Sequence, residues 1–293
     1  MQISTEKSNP NTVNIDVSPT LRILEMINNE DKTIAFAVEK ELLNIAQAVD
    51  LIVENFNRGG RLLYFGAGTS GRLGVLDASE CPPTFGVLPE MVQGVIAGGN
   101  KALTTAIEGA EDDIWLAQKD FENIDVKKED TVVCISASGN PKYLLKIAEL
   151  SKNVNAKIVV ITSNKSAKLI EMSDIAICPD VGAEPISGSS RMKSGTAQKM
   201  ILNMLSTASM IKMGKTYKNF MVDLRATNEK LKNRAVSIVS DLARCEEEVA
   251  LSHLRANNFD VKAAVIEIIF DVSYEEALLM LKQNENILRK TIK

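Results

Sequence analysis

Gly66-Ala-Gly-Thr-Ser-Gly-Arg72 follows an apolar run at residues 61–65, and Ser136-Ala-Ser-Gly-Asn-Pro141 follows another at residues 131–135. Each stretch lies where a buried strand is expected to turn into a helix. Glycines let the backbone turn tightly, and hydroxyls beside free helix N–H groups form an anion site. Two such loops predict a site for a phosphorylated small molecule. The candidate contacts in them are Thr69, Ser70, Gly71, Arg72, Ser136, Ser138 and Asn140.

A nucleotide is the less favoured ligand. The chain has no G-x-x-x-x-G-K-[ST] loop. The glycine pattern at Gly66, Gly68 and Gly71 also lacks a clear acidic residue at the end of the next strand, where a ribose would be held.

Strands and helices alternate after Gly59-Gly60. Apolar runs predict strands at residues 61–65, 91–97, 131–135, 157–162 and 175–178, and the intervening segments predict helices at 71–79, 101–108, 114–123, 141–153 and 166–172. Continuous rather than alternating apolar runs are typical of a parallel sheet covered on both faces. We therefore expect an α/β fold with its ligand site at the carboxyl ends of the strands.

Helices are expected on both sides of this region. Residues 18–29 and 32–58 read as two helices, and another long helix ends near Met213. The chain from about Asp241 predicts a compact bundle of three short helices, with turns at residues 257–258 and 271–273. The expected division is an N-terminal arm with helices (1–58), an α/β domain that carries the ligand site (59–218) and a C-terminal helical region (219–293).

Composition excludes several functions. The 34 basic and 38 acidic residues are interspersed, and aromatic residues are 4% of the chain, so a nucleic-acid surface is not expected. Four widely spaced cysteines and a single histidine do not predict a metal site. No apolar run approaches the roughly 20 residues that span a bilayer, and the N-terminus does not resemble a secretory signal. We expect a reduced, cytoplasmic protein with no membrane contact.

Several motifs together resemble one family. They are Thr5-Glu6, Asn9, the Gly66 loop, Asp77-Ala-Ser-Glu-Cys-Pro-Pro-Thr-Phe-Gly86, Ala97-Gly-Gly-Asn100, the Ser136 loop and residues 184–199. They are similar to the sugar isomerase (SIS) fold, a flavodoxin-like phosphosugar-binding domain, and more narrowly to the N-acetylmuramic acid 6-phosphate etherases. The last motif also resembles the glucokinase regulatory protein.

This resemblance implies a reaction and a set of residues. The D-lactyl ether of N-acetylmuramic acid 6-phosphate would be cleaved to N-acetylglucosamine 6-phosphate and D-lactate, in cell-wall amino sugar recycling. No metal or organic cofactor is implied. A homodimer is implied, with site residues shared across its interface. The catalytic pair would be Glu80, the proton donor, and Glu111, the second acid-base residue.

The local sequence suggests how these two glutamates could differ in protonation. We expect Glu80 at the end of a helix stopped by Pro82-Pro83, where the negative end of the helix dipole favours a protonated carboxyl. Glu111 precedes the helix predicted from Ile114, whose positive end favours a carboxylate. From periodicity alone, Glu80 could equally be an exposed helix-end residue and Glu111 part of a solvated cap.

The third motif predicts further substrate contacts at Glu184, Ser189, Ser190, Arg191 and Lys193. Cations at the start of a long helix oppose its dipole, so a bound phosphate or lactyl carboxylate would compensate them. Glu184 could contact a sugar hydroxyl. Alternatively, these residues are solvated surface charges.

Two other functions stay open at this stage. One is a non-catalytic phosphosugar-binding regulator, and the other is an aldose–ketose phosphosugar isomerase. Turnover separates them, because only the etherase releases lactate.

Overall fold

The structure is a computed structural model that describes residues 4–292. Its contacts divide it into two compact units. The first holds the described residues up to Ser79 together with Glu90–Ser206, and the second holds Glu80–Pro89 and the chain from Thr207 onward. Within residues 4–292, no helix is both long and apolar enough to cross a bilayer.

A five-stranded parallel sheet forms the centre of the first unit, as the apolar runs predicted. Its order is β2-β1-β3-β4-β5, which is the flavodoxin-like arrangement. Strands β1 and β3 are buried at every residue. The strands are β1 (Leu62–Gly66), β2 (Val92–Ile96), β3 (Thr131–Ile135), β4 (Lys157–Ile161) and β5 (Ile175–Ile177).

Helices of the first unit lie before, between and after these strands. They are α1 (Thr20–Asp31), α2 (Ile34–Glu39), α3 (Leu42–Asn57), α4 (Gly68–Phe85), α5 (Lys101–Thr104), α6 (Ile114–Ile124), α7 (Lys142–Asn153) and α8 (Lys193–Lys212). The ends of α4 and α8 belong to the second unit.

Three helix predictions need correction. The single helix expected over 32–58 is two helices, because Glu41 leaves helical geometry. The apolar spacing continues across that break, so periodicity alone misses it. The helix expected over 101–108 ends at Thr104, since Thr105 is extended. The segment 166–172 forms a short 3₁₀ helix, Lys168–Met172.

Helix α4 departs furthest from expectation. We expected residues 71–79 with Pro82-Pro83 as the stop, but the helix extends from Gly68 to Phe85 with both prolines inside it. Each proline removes one backbone hydrogen bond. Burial of Cys81 and Phe85 on this last stretch offsets that loss. Glu80 therefore lies within the helix rather than at its end.

The second unit is mainly helical. The predicted three-helix bundle is confirmed: it is α10 (Glu247–Ala256), α11 (Val261–Phe270) and α12 (Tyr274–Gln283), preceded by α9 (Glu229–Ala243) and followed by α13 (Leu288–Thr291). Every residue of α11 from Val261 to Glu267 is buried. A two-stranded antiparallel ribbon, β6 (Thr216–Tyr217) and β7 (Phe220–Met221), was not predicted.

Glycines let α4 approach the sheet closely. A Cβ at Gly71 would lie 2.6 Å from the carbonyl oxygen of Gly66 and 2.7 Å from Cγ1 of Ile96. Neither neighbour can move without disturbing β1 or β2. The first turn of α4 is thus fixed directly over the end of β1.

We predict that Gly71→Ala destabilises the fold by about 1–3 kcal/mol, as overpacking typically does. The matched control is Gly195→Ala in α8, where the nearest atom to the added Cβ is Cγ2 of Thr69 at 3.4 Å. Alanine is the better helix former, so this control should be neutral or stabilising by up to about 1 kcal/mol. Urea unfolding measures both, and equal effects would contradict the packing argument.

Candidate functional site

The loop between β1 and α4 presents free backbone donors. Gly68 adopts a left-handed backbone with φ of +53°, and α4 begins there. The first N–H groups of a helix have no acceptor within it. Together with the hydroxyls of Thr69 and Ser70, they make this helix start suited to an anion.

The loop between β3 and α7 is held by its own hydrogen bonds. Ser136 Oγ accepts from the Gly139 N–H at 3.0 Å and lies 3.4 Å from Ser138 Oγ. Gly139 has φ of +68°, and a Cβ there would lie 2.3 Å from Cβ of Ala167. The backbone of this loop is therefore fixed in a shape that only glycine permits.

Both loops face one cleft of about 280 Å³ in the first unit. The structure brings six predicted site residues to its wall: Thr69, Ser70, Ser136, Ser138, Ser190 and Glu111. A second cavity of about 230 Å³ shares Ala67, Gly68 and Glu111 with the first and is lined by Arg72. Glu111 and the Gly66 loop thus border both cavities.

The remaining predicted residues in the loops support the wall. Gly71 is buried in the first turn of α4. The Asn140 side chain donates to Ser138 O at 3.2 Å and accepts from the Lys168 N–H at 3.0 Å, which ties the Ser136 loop to the segment after β4. Ser189 is half-buried and Arg191 is exposed beside Ser190.

Glu184 caps a helix. Its side chain is fully buried, and its carboxylate accepts from the Lys193 N–H at 2.7 Å, the Ser194 N–H at 3.0 Å and Ser194 Oγ at 2.8 Å. A carboxylate at this position satisfies the free donors at the start of α8 and favours its dipole. The expected sugar contact is therefore corrected, because these oxygens are occupied inside the protein.

Lys193 is also turned inward. Its ammonium is 2.6 Å from a Glu30 carboxylate oxygen and donates to Ala183 O at 3.1 Å, and both charged side chains are buried. The argument that a cation here needs an external anion is wrong for Lys193, since Glu30 supplies the negative charge.

The two predicted catalytic glutamates lie in different units. Glu111 is exposed in a short 3₁₀ helix, Ala110–Asp112, just ahead of α6, whose N-terminus is capped by Asp113. Glu80 is exposed on α4 within the second unit. The expectation that Glu80 sits at a negative helix end is wrong, because α4 continues five residues beyond it.

Sequence reasoning missed three residues at the cleft. Thr5 and Glu6 line it, although they lie far from both loops in the chain. Gln198 stands behind it and accepts a hydrogen bond from Ser70 Oγ at 2.9 Å. Residue spacing gives no signal for such contacts. The family motifs did include all three, but only as resemblance.

Three family models match parts of the chain. Residues 44–150 match the N-terminal SIS domain of glucokinase regulatory protein, residues 117–208 match the SIS domain, and residues 218–268 match the C-terminal lid domain of glucokinase regulatory protein. Among solved structures, phosphoheptose isomerase from Neisseria gonorrhoeae is 15% identical, with a TM-score of 0.48, over 64% of this chain and 97% of its own.

Full-length relatives decide the family. N-acetylmuramic acid 6-phosphate etherase of Glaesserella parasuis is 50% identical over 99% of this chain and 96% of its own length. The etherase of Geobacillus sp. is 47% identical over 99% of both chains, and that of Clostridium botulinum is 50% identical over 100% of this chain and 97% of its own. The chain belongs to the N-acetylmuramic acid 6-phosphate etherase family.

We predict that Ser138→Ala weakens binding of N-acetylglucosamine 6-phosphate by about 1–3 kcal/mol, the scale of a hydrogen bond to a charged group. Ser136→Ala should weaken it similarly and also destabilise the fold, because the buried Gly139 N–H loses its acceptor. Calorimetric titration and thermal unfolding measure the two effects. Ser173→Ala, outside the cleft, is the control. Parent-like binding by both cleft variants would mean that the phosphate site lies elsewhere.

The buried Glu30–Lys193 pair predicts a pH-dependent stability. Burial by itself raises the pKa of Glu30, but hydrogen bonds from Lys193, Asn11 and Asn9 outweigh it and hold the pKa below its usual value. The stabilisation is therefore complete above the ordinary glutamate pKa of about 4.3 and is lost as pH falls through the lowered value.

Lys193→Met should accordingly cost about 3–5 kcal/mol at neutral pH, because Glu30 is left buried without its partner. The double variant with Glu30→Gln should recover much of that loss and show a weaker pH dependence. Urea unfolding is measured from neutral pH down through the lowered pKa of Glu30. Lys152→Met, at an exposed lysine of α7, is the control. If the losses of unfolding free energy caused by Lys193→Met and by Glu30→Gln simply added in the double variant, the pairing would be contradicted.

Proposed function

We propose that this chain cleaves the D-lactyl ether of N-acetylmuramic acid 6-phosphate, giving N-acetylglucosamine 6-phosphate and D-lactate. It would act as a carbon–oxygen lyase. The observation that carries this proposal is a cleft whose wall contains hydroxyl-bearing residues of both strand–helix loops together with Glu111. Full-length relatives named as etherases support the choice of substrate.

The sugar phosphate binds with its anionic group between the two loops. Ser136 and Ser138 from one loop and Thr69 from the other offer hydroxyl donors, and the start of α4 offers backbone donors. Donors on rigid elements hold a phosphate with little loss of side-chain entropy. Arg191, which is exposed and follows Ser190 in the chain, is the proposed donor of hydrogen bonds to the lactyl carboxylate.

Elimination is the easier route for an unactivated ether. In the ring-opened sugar, the C1 aldehyde acidifies the C2 proton, and the lactyl ether at C3 lies β to that carbonyl. A base removes the C2 proton, an acid protonates the departing lactate oxygen, and water then adds at C3. Two carboxyl groups in opposite protonation states are sufficient.

Glu111 is the proposed base. It lines the cleft and lies just ahead of α6. Glu80 is the proposed proton donor, and this assignment rests on the resemblance alone, because its position within α4 removes the helix-end argument.

A second candidate is a phosphosugar-binding regulator without turnover. Two of the matching models describe parts of glucokinase regulatory protein. Incubation with N-acetylmuramic acid 6-phosphate separates the two functions, since only the etherase releases D-lactate. Binding without lactate release would establish the regulator instead.

The working form is proposed to be a homodimer. Large apolar side chains are exposed on α1–α3: Leu21 is 71%, Leu24 57%, Phe36 66% and Leu43 81% accessible. Such a concentration of exposed apolar surface is typical of an interaction site. A second copy of the chain is the proposed partner, with site residues shared between subunits.

We predict that the two glutamate variants fail in different ways. Glu111→Gln should stop both lactate release and exchange of the C2 hydrogen with deuterated solvent. Glu80→Gln should stop lactate release from the natural substrate, yet a substrate analogue with a C3 fluoride should still react, because fluoride leaves without protonation. Loss of an acid-base group lowers the reaction rate by about 10²–10⁴-fold, a change that kinetic assays and NMR can resolve.

The reverse pattern, with exchange retained in Glu111→Gln and lost in Glu80→Gln, would exchange the two roles. Effects below about tenfold for both variants would reject the carboxylate-pair mechanism. Glu149→Gln, at an exposed residue of α7, is the matched control and should retain parent activity.

We predict that Leu21→Glu combined with Leu24→Glu yields a monomer, since two charges would be buried in the proposed interface. Light scattering after size exclusion measures the mass. Leu279→Glu, at an exposed leucine of α12, is the control and should leave the dimer intact. A parent protein that is monomeric at all concentrations would reject the dimer.

A further inference from the structure

The polar N-terminal arm, residues 4–17, is held in the first unit although it contains no apolar core of its own. It forms three short 3₁₀ turns, Ser4–Glu6, Pro10–Thr12 and Ile15–Val17. Thr5, Asn9 and Thr12 are nevertheless buried. Polar side chains are rarely buried without hydrogen-bond partners, so their contacts show what the arm is attached to.

Three hydrogen bonds attach the arm to residues 183–188, the segment that precedes α8. The Gly188 N–H donates to Thr5 O at 3.0 Å. Asn9 Nδ2 donates to Ala183 O at 3.1 Å, and Thr12 Oγ1 donates to Pro185 O at 2.8 Å. The arm therefore runs alongside the segment that carries Ser189 and Ser190.

A buried ion pair strengthens this attachment. Asn11 Nδ2 donates to Glu30 at 2.8 Å, and Glu30 holds Lys193. The arm, α1 and the start of α8 are thus connected through one carboxylate. Loss of any of these bonds would leave buried polar groups unsatisfied.

The consequence of this attachment is the position of Glu6. Thr5 and Glu6 line the same cleft as Ser136, Ser138 and Glu111. A Cβ at Gly188 would lie 2.9 Å from Glu6 Oε2, and Gly188 has φ of +77°. The Glu6 carboxylate therefore lies close to the backbone of Gly188, whose left-handed conformation favours glycine.

A second carboxylate in this cleft needs a chemical reason. An ionised carboxylate only accepts hydrogen bonds, so it repels a phosphate and attracts a neutral donor. The ring hydroxyls and the acetamido N–H of an N-acetylated sugar are such donors. Glu6 is an exposed carboxylate at the cleft wall, so it is suited to that task.

We propose that Glu6 is a substrate-binding residue that accepts a hydrogen bond from a hydroxyl or amide N–H of the sugar. It distinguishes the sugar from other phosphate compounds, while the hydroxyl loops hold the phosphate. This inference rests on the proposed phosphosugar function and adds a residue that selects the sugar.

The test compares three ligands on the full chain: inorganic phosphate, glucose 6-phosphate and N-acetylglucosamine 6-phosphate. Glu6→Ala should bind N-acetylglucosamine 6-phosphate about 10- to 100-fold more weakly than the parent, the scale of one hydrogen bond to a charged group. It should bind inorganic phosphate at least as tightly, because a repelling charge is gone. Lys7→Ala, at the exposed neighbouring residue, is the matched control and should change neither affinity.

The glucose 6-phosphate titration identifies the donor. If Glu6→Ala loses affinity only for N-acetylglucosamine 6-phosphate, the donor is the amide N–H. If it loses affinity equally for both sugar phosphates, the donor is a ring hydroxyl. Glu6→Gln keeps an acceptor oxygen without the charge, so its loss should be smaller than that of Glu6→Ala. In turnover, Glu6→Gln should raise KM more than it lowers kcat.

If Glu6→Ala bound inorganic phosphate and both sugar phosphates more weakly by the same factor, the proposal would be overturned, because Glu6 would then merely support the cleft. Unchanged affinity for all three ligands would overturn it as well. If the parent itself binds none of the three, the phosphosugar site is wrong, and the assignment of Glu6 falls with it. Thermal unfolding of the variants shows whether the arm stays attached.

Discussion

Strands β1 and β3 pair in parallel along their whole length, from Leu62 opposite Thr131 to Gly66 opposite Ile135. Paired residues of the two strands are 69 positions apart in the chain. Because the strands run in the same direction, the loops that follow them lie side by side at one edge of the sheet. The chain crosses from one half of the sheet to the other at this point, where neighbouring loops diverge and leave a crevice. The cleft between the Gly66 and Ser136 loops is that crevice.

Charges around the cleft fall into two groups with different physical roles. Glu30, Glu184 and Lys193 are buried and satisfy one another or the start of α8. A buried charge is stable only when paired and hydrogen-bonded, so these side chains hold the architecture. Glu6, Glu111 and Arg191 are exposed at or beside the cleft. Because they are exposed, a ligand can reach them.

The sequence predicted where helices and strands lie better than it predicted where a helix ends or which side chains pair. The runs at 131–135 and 114–123 became β3 and α6 with little change, since buried β-branched strands and amphipathic helices carry their period in the sequence. Helix α4 extended through Pro82-Pro83 because buried packing of Cys81 and Phe85 offset two missing hydrogen bonds. Lys193 was misread for a related reason. Its partner, Glu30, lies 163 residues away in the chain, and no local rule anticipates it.

The sequence alone determined the parallel α/β sheet, the two hydroxyl-rich loops and the family, because these depend on local period, turn chemistry and contiguous motifs. Only the tertiary structure decided which polar residues face the cleft and which are buried behind it. It placed Thr5 and Glu6 beside loops more than 60 residues away and turned Glu184 and Lys193 inward. The physical reason is that the partner of a buried charge is chosen by three-dimensional proximity and desolvation, and neither is written in the spacing of residues along the chain.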